Sequence, residues 1–212
     1  MTPITELGPK IPSIPNDRTI ERFGQIQKVI FQRRFEEGTD ENVMDASLEN
    51  PESKASWDTL LAAEDGTKVT VSPFISEPES EAGEPRTYGG GNATLNGIEI
   101  VLGVEPSPFV GKVLEAKQPV IREMKKLQAE TLSVFLVNEH GQIGCLSDGK
   151  DPVEEYKGIP IHSLFVGDKR FGNFEEPDSN DVQFVFAPNF SGNFVVITPD
   201  DFNPLHDLEN PE

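Results

Sequence analysis

Cys145 and His140 have the residue types of a thiol nucleophile and its general base. Such a pair works when the imidazole takes the thiol proton and a third group, from a distant element, orients the imidazole. Here Glu139-His140-Gly141-Gln142 is a turn between two apolar runs, 132–137 and 143–146. The two side chains sit on opposite arms of a tight hairpin, so the turn alone accounts for their nearness. Cys145 reads as a small buried thiol on a strand. The stretch Asp148-Gly149-Lys150-Asp151-Pro152-Val153-Glu154-Glu155 is dense in oxygen ligands but lacks the alternating Asp/Asn positions of a calcium loop. His206-Asp207 and Asp200-Asp201 are metal-capable in type, yet His140, His162 and His206 have no zinc spacing. Gly89-Gly90-Gly91 is followed by no Lys-Ser or Lys-Thr and sits in no G-x-G-x-x-G frame, so a flexible hinge or a close backbone approach between subunits replaces a phosphate loop. Gly-x-Ser-x-Gly, His-Glu-x-x-His and kinase signatures are absent. The expectation is a protein that is not an enzyme, with no catalytic residue, no cofactor and no metal.

The elements that would position these residues are mostly strands. Residues 25–33 are β-branched and aromatic, 67–71 alternate after Asp65-Gly66, and 98–102 follow the glycine run. Residues 132–137 and 143–146 form the hairpin, 159–166 another strand, and 182–186 alternate in period two before 194–198 return. The clearest helix is 119–130, with Pro119 in its first turn and Val120, Ile121, Met124 and Leu127 on one face. A shorter one brings Trp57, Leu60 and Leu61 together. This pattern predicts an α+β fold, mostly antiparallel β: a β-barrel or sandwich with one flanking amphipathic helix, long loops and an extended N-terminal arm. The arm is 1–18, punctuated by Pro3, Pro9, Pro12 and Pro15. Residues 19–199 form a single β-rich domain with long loops at 36–54 and 76–97, and 200–212 form an acidic C-terminal tail.

Charge is unevenly placed. The whole chain carries −19, but residues 1–35 hold six basic side chains against three acidic ones. A basic start and an acidic body can pair with copies of themselves, arm to body. The acidic body argues against a surface that grips nucleic acid. A single cysteine excludes an internal disulfide, no apolar stretch approaches a membrane span, and the start lacks a signal-peptide pattern. The candidate interface residues are Arg18, Arg22, Arg33 and Arg34 from the basic start, with Tyr88, Gly89, Gly90 and Gly91 from the second loop.

The segment Gly158-Ile159-Pro160-Ile161-His162-Ser163-Leu164-Phe165-Val166-Gly167-Asp168-Lys169 and residues 182–202, with Ala187-Pro188-Asn189-Phe190-Ser191 and Ile197-Thr198-Pro199, resemble structural proteins of tailed bacteriophages. The resemblance covers roughly the last half of the chain. The order strand, amphipathic helix, hairpin, strand, hairpin is similar to tail-tube proteins. That resemblance implies a non-enzymatic virion component, a tail-tube or neck/tail ring subunit, assembled in the host cytoplasm. It implies a hexameric homo-oligomer contacting other virion proteins, with long loops and arms reaching neighbours and DNA passing without specific binding. An acidic wall suits such a passage, because it repels a polyanion. The alternatives are a capsid decoration or minor head protein, a small cytoplasmic hydrolase or ligand-binding domain, and a β-rich module binding surface glycans.

Overall fold

The structure is a computed structural model that describes Ile14, Asn16, Thr19 and residues 22–211, without the side chain of Leu95. In chain order the strands are β1 (Ile26–Arg33), β2 (Met44–Asp45), β3 (Val69–Val71), β4 (Ser76–Ser80), β5 (Pro85–Gly89), β6 (Glu99–Val104), β7 (Ser107–Leu114), β8 (Leu132–Asn138), β9 (Ile143–Ser147), β10 (Glu155–Lys157), β11 (Ile159–Val166), β12 (Ser179–Phe186) and β13 (Phe194–Ile197). The helices are α1 (Lys54–Ala62) and α2 (Gln118–Lys126). The fold is mostly antiparallel β, as the sequence pattern predicts. One large sheet holds every strand except β5 and β6, which form a sheet of their own.

β8 is the hub of the large sheet. One of its edges pairs with β1 along its length, while the other pairs with β9 near Val137 and with β11 near Val134. The sheet therefore branches. Among the described residues β2, β3, β4 and β13 each have a single partner strand, so the sheet stays open. A barrel needs every strand paired on both edges, and the barrel alternative is excluded.

The two limbs fold over at β11 and share a core. Val29 and Phe31 of β1 and Val134 and Leu136 of β8 pack with Phe109 of β7 and Phe184 and Phe186 of β12. Phe109 stacks on Phe184 with ring centroids 4.6 Å apart, and Phe186 meets Phe184 edge-on at 5.2 Å. Phe109, Gly111 and Val113 are the inward positions of β7. A methyl at Gly111 would stand 2.4 Å from the Ile75 side chain, which explains why the middle position is bare. The opposite face of β1 and β8 carries Ile30, Phe135 and Val137, which pack with Trp57, Leu60 and Leu61 of α1. β1 and β8 are thus buried on both faces, and their near-continuous apolar text follows from that. The Trp57 indole donates to the Pro51 carbonyl at 2.9 Å and lies edge-on to Phe135. α2 turns Ile121 and Met124 onto Val113, Val166 and Val182.

The stretch 200–212 is expected as an acidic tail, but its described residues, 200–211, are part of the domain. Leu205 and Leu208 are buried in the α1-side core. The Asn210 side chain accepts from the Val71 N–H and donates to the Val71 carbonyl, both at 2.8 Å. It does for the open edge of β3 what a neighbouring strand would do.

The loop 36–54 is anchored by Glu41, which accepts from Arg34 at 2.6 Å and from Lys157 at 2.8 Å. The hydrogen bonds from Lys157 and Arg34 hold its carboxyl below the usual carboxylate range. A depressed folded value means stability that is present above the unfolded value, about 4.3, and lost as pH falls through the folded one. Glu41→Gln is expected to cost about 1 kcal/mol at pH 7, with the difference from wild type shrinking as pH drops below about 4. Urea midpoints at the two pH values measure this, and equal midpoints at pH 7 would show that the anchor contributes nothing.

Candidate functional site

The residues with chemistry in their types do not meet. Cys145 is fully buried in the α1-side core, and burial pushes its thiol up to about 12. A neutral thiol in the same buried cluster as Trp57 and Phe135 is no nucleophile. His140 is exposed in the turn beside Glu139, and His162 and His206 are also exposed. Among the described residues no three His, Cys, Asp or Glu side chains gather as a metal site. Asp148 receives the backbone N–H of Lys150 at 3.2 Å, and the Lys150 ammonium bridges Asp148 and Glu154. That loop spends its carboxylates on itself.

The basic start is similarly occupied. Arg33 forms a two-pronged pair with Glu130 at 2.9 and 3.0 Å, and Arg34 pairs with Glu41. Their charges are met within the chain. Arg22 is exposed just ahead of β1. Arg18 and nearly all of the arm 1–18 lie outside the described residues.

Tyr88 and the glycine run belong to a feature of another kind. The stretch 76–97, expected as a long loop, contains β4 and β5. β4 pairs with β7, a strand that the sequence pattern did not single out, and the ribbon continues outward. Glu81 donates its N–H to Pro108, Gly83 to the Ser107 hydroxyl and Glu105 to Glu84, at 2.8–3.2 Å. Beyond that joint β5 and β6, among the described residues, pair only with each other. From Glu84 to Gly90 this arm extends about 20 Å at about 3.3 Å per residue.

The arm is apolar and stands in water. Tyr88, Ile98, Ile100, Val101 and Leu102 are 53–66% exposed. Tyr88 lies opposite Ile100, Thr87 lies opposite Val101, and a register shift leaves Leu102 out of the ladder, so both faces carry apolar side chains. The tip is a glycine turn: Gly89, Gly90 and Gly91 have φ of 118°, 87° and 55°. A Cβ at Gly89 would fall 2.8 Å from the Ile98 carbonyl oxygen. The Thr94 hydroxyl, which donates to Ile98, accepts from the Gly90 N–H. The glycines are there for positive φ and close approach, not for phosphate. A two-stranded hairpin is marginal alone in water, and an exposed apolar surface of this size marks an interaction site.

A smaller display occupies the far end of the same strands. β7 and β12 pair from Ser107–Phe186, where the arm leaves, to Leu114–Ser179, about 24 Å away at about 3.4 Å per residue. There the β11–β12 loop holds Phe171 and Phe174 almost entirely in solvent. The outer face of that limb carries Val110, Leu114 and Phe165, each more than a third exposed.

Neither helix is long and apolar enough to cross a membrane. No protein-family model matches the chain, and no curated protein matches it.

Proposed function

We propose that this protein is a non-enzymatic structural subunit that assembles with copies of itself, and that the assembly is a ring of the tail-tube or neck type in a tailed-phage virion. The observation that carries self-assembly is the β5–β6 arm. Its apolar side chains and unpaired strand edges have no further partner strand among the described residues. An arm at one end of the β7–β12 pair and exposed Phe171 and Phe174 at the other suit subunits that contact neighbours above and below. The phage assignment rests on the sequence resemblance of residues 158–169 and 182–202. The net charge of −19 supports it, since a ring that passes DNA must not hold it. The hexameric count comes from the resemblance alone.

Purified full-length chain, without other virion proteins, is expected to form rings or hollow tubes in negative-stain images and to sediment as an oligomer at tens of micromolar. A monomer that never assembles and binds only preformed capsids would overturn the ring reading in favour of a decoration protein.

A further inference from the structure

A groove of about 1100 Å³ opens between α2, the β3 edge and the C-terminal segment. Its apolar lining includes Val71, Pro73, Val120, Met124, Leu127 and Leu208. Its charged lining is Lys28, Lys68 and Lys126 against Glu123 and Glu209. In a chain of net charge −19 this is a locally basic place. Lys126 is paired with Glu123 at 2.7 Å. Lys68 is exposed and makes no ion pair among the described residues. Lys28 is 8% exposed, with its ammonium 4.7 Å from the centre of the Phe74 ring and no hydrogen bond to a carboxylate among the described residues. Burial lowers its pKa while the nearby Glu209 charge raises it. The ammonium thus has a carboxylate charge near it but none hydrogen-bonded to it among the described residues, and it has room to accept a further anionic group.

We infer that this groove receives the β5–β6 arm of a second copy of the chain. The inference rests on the self-assembly reading above and adds its receptor. Two complementarities support it. The ribbon 76–105 carries six glutamates, Glu77, Glu79, Glu81, Glu84, Glu99 and Glu105, against Arg86, and of the six Glu77 is already paired with Lys112 of its own chain. An acidic ribbon with an apolar end fits an apolar floor with a lysine rim. The placement also suits a second copy rather than the arm's own groove. Pro73 lines the groove, and β4 starts at Ser76 and leads away toward the arm. Ser76 and Tyr88 are separated by up to about 40 Å of extended chain. Arm and groove are different surfaces, so the contact is head-to-tail, which gives a ring where the rotation closes and a filament where it does not.

The test uses two full-length variants. Ile100→Ser with Leu102→Ser strips the arm, and Lys68→Glu with Lys126→Glu reverses the rim, all four at exposed or half-exposed sites. Each variant alone is expected to associate at least about 30-fold more weakly than wild type, as read by sedimentation velocity, a loss of about 2 kcal/mol or more. Mixed together they are expected to form a 1:1 pair that grows no further, because one intact arm and one intact groove remain. Wild-type association is expected to weaken as salt rises, and the rim variant to lose that dependence. Wild-type assembly that persists in the rim variant but fails in the arm variant would overturn the groove while leaving self-assembly standing. A wild type that stays monomeric would overturn both. If deletion of residues 1–18 mimics the rim variant while the arm variant still assembles, the groove belongs to the N-terminal segment and the inference fails.

Discussion

A chain in which residues 85–104 are replaced by a short Gly-Ser turn is expected to melt within about 2 °C of the wild type and to sediment as a monomer. The two halves of that result come from separate parts of the molecule. Among the described residues β5 and β6 pair only with each other, and their apolar side chains lie in water, so their removal takes nothing from either core. Association is different. Each of Ile98, Ile100, Val101 and Leu102 gains about 1.5–3 kcal/mol when fully withdrawn from water. That gain must cover about 4–15 kcal/mol of lost translational and rotational freedom before any affinity appears. Losing four such side chains at once is expected to lower the association constant by at least about a thousandfold, or about 4 kcal/mol. Sedimentation velocity reads the association, and thermal denaturation by circular dichroism reads the fold. An armless chain that assembles like the wild type would remove the arm from the interface. A large fall in melting temperature would mean that the arm is structural in its own chain.

Truncation after Pro204 is expected to have the opposite signature, a chain that does not fold stably. Leu205 and Leu208 are 5% and 1% exposed, in the core shared by α1 and the sheet. Emptying a leucine site costs about 2–5 kcal/mol, so two of them cost on the order of 4–10 kcal/mol. Domains of this kind have about 5–15 kcal/mol in total. The same truncation frees the β3 edge by removing the Asn210 side chain from Val71. Leu208→Ala alone is the control that keeps the chain folded. It is expected to lower stability by about 2–5 kcal/mol, read from the urea midpoint. A truncated chain with an unchanged midpoint would return 205–212 to the status of a solvated tail.

The places where sequence reading and structure diverge have causes that differ from element to element. The strands β1, β8, β9 and β11–β13 were legible because burial on at least one face forces apolar or alternating text. β4, β5 and β7 were not. β4 reads Ser-Glu-Pro-Glu-Ser because it is an edge strand in solvent, held by backbone hydrogen bonds to β7 that leave little mark on side-chain choice. β7 alternates Phe109, Gly111 and Val113 inward, but the bare middle position that Ile75 imposes breaks the apolar rhythm. Leu205 and Leu208 were hidden among acidic neighbours, since two apolar anchors are all that a docked segment needs.

Part of the candidate site was legible in the same sense. Tyr88 and Gly89–91 stood out by composition, and the structure places them at the end of a projecting hairpin. Arg33 and Arg34 stood out by charge, and the structure pairs them with Glu130 and Glu41, partners 97 and 7 residues away in the chain. A charge count sees that a side chain is basic and not whether a carboxylate from another element already faces it.

By itself the sequence determined the antiparallel β class, the amphipathic face of α2, the burial of Cys145 and the strongly acidic balance. Each of these follows from local periodicity or summed charge. The tertiary structure alone decided that the sheet branches at β8 instead of closing, that the last residues complete a core, and that 98–102 points into solvent. Apolar text states that a side chain gains by leaving water, but it does not state which surface removes it. For Ile100 and Leu102 that surface is not in their own sheet.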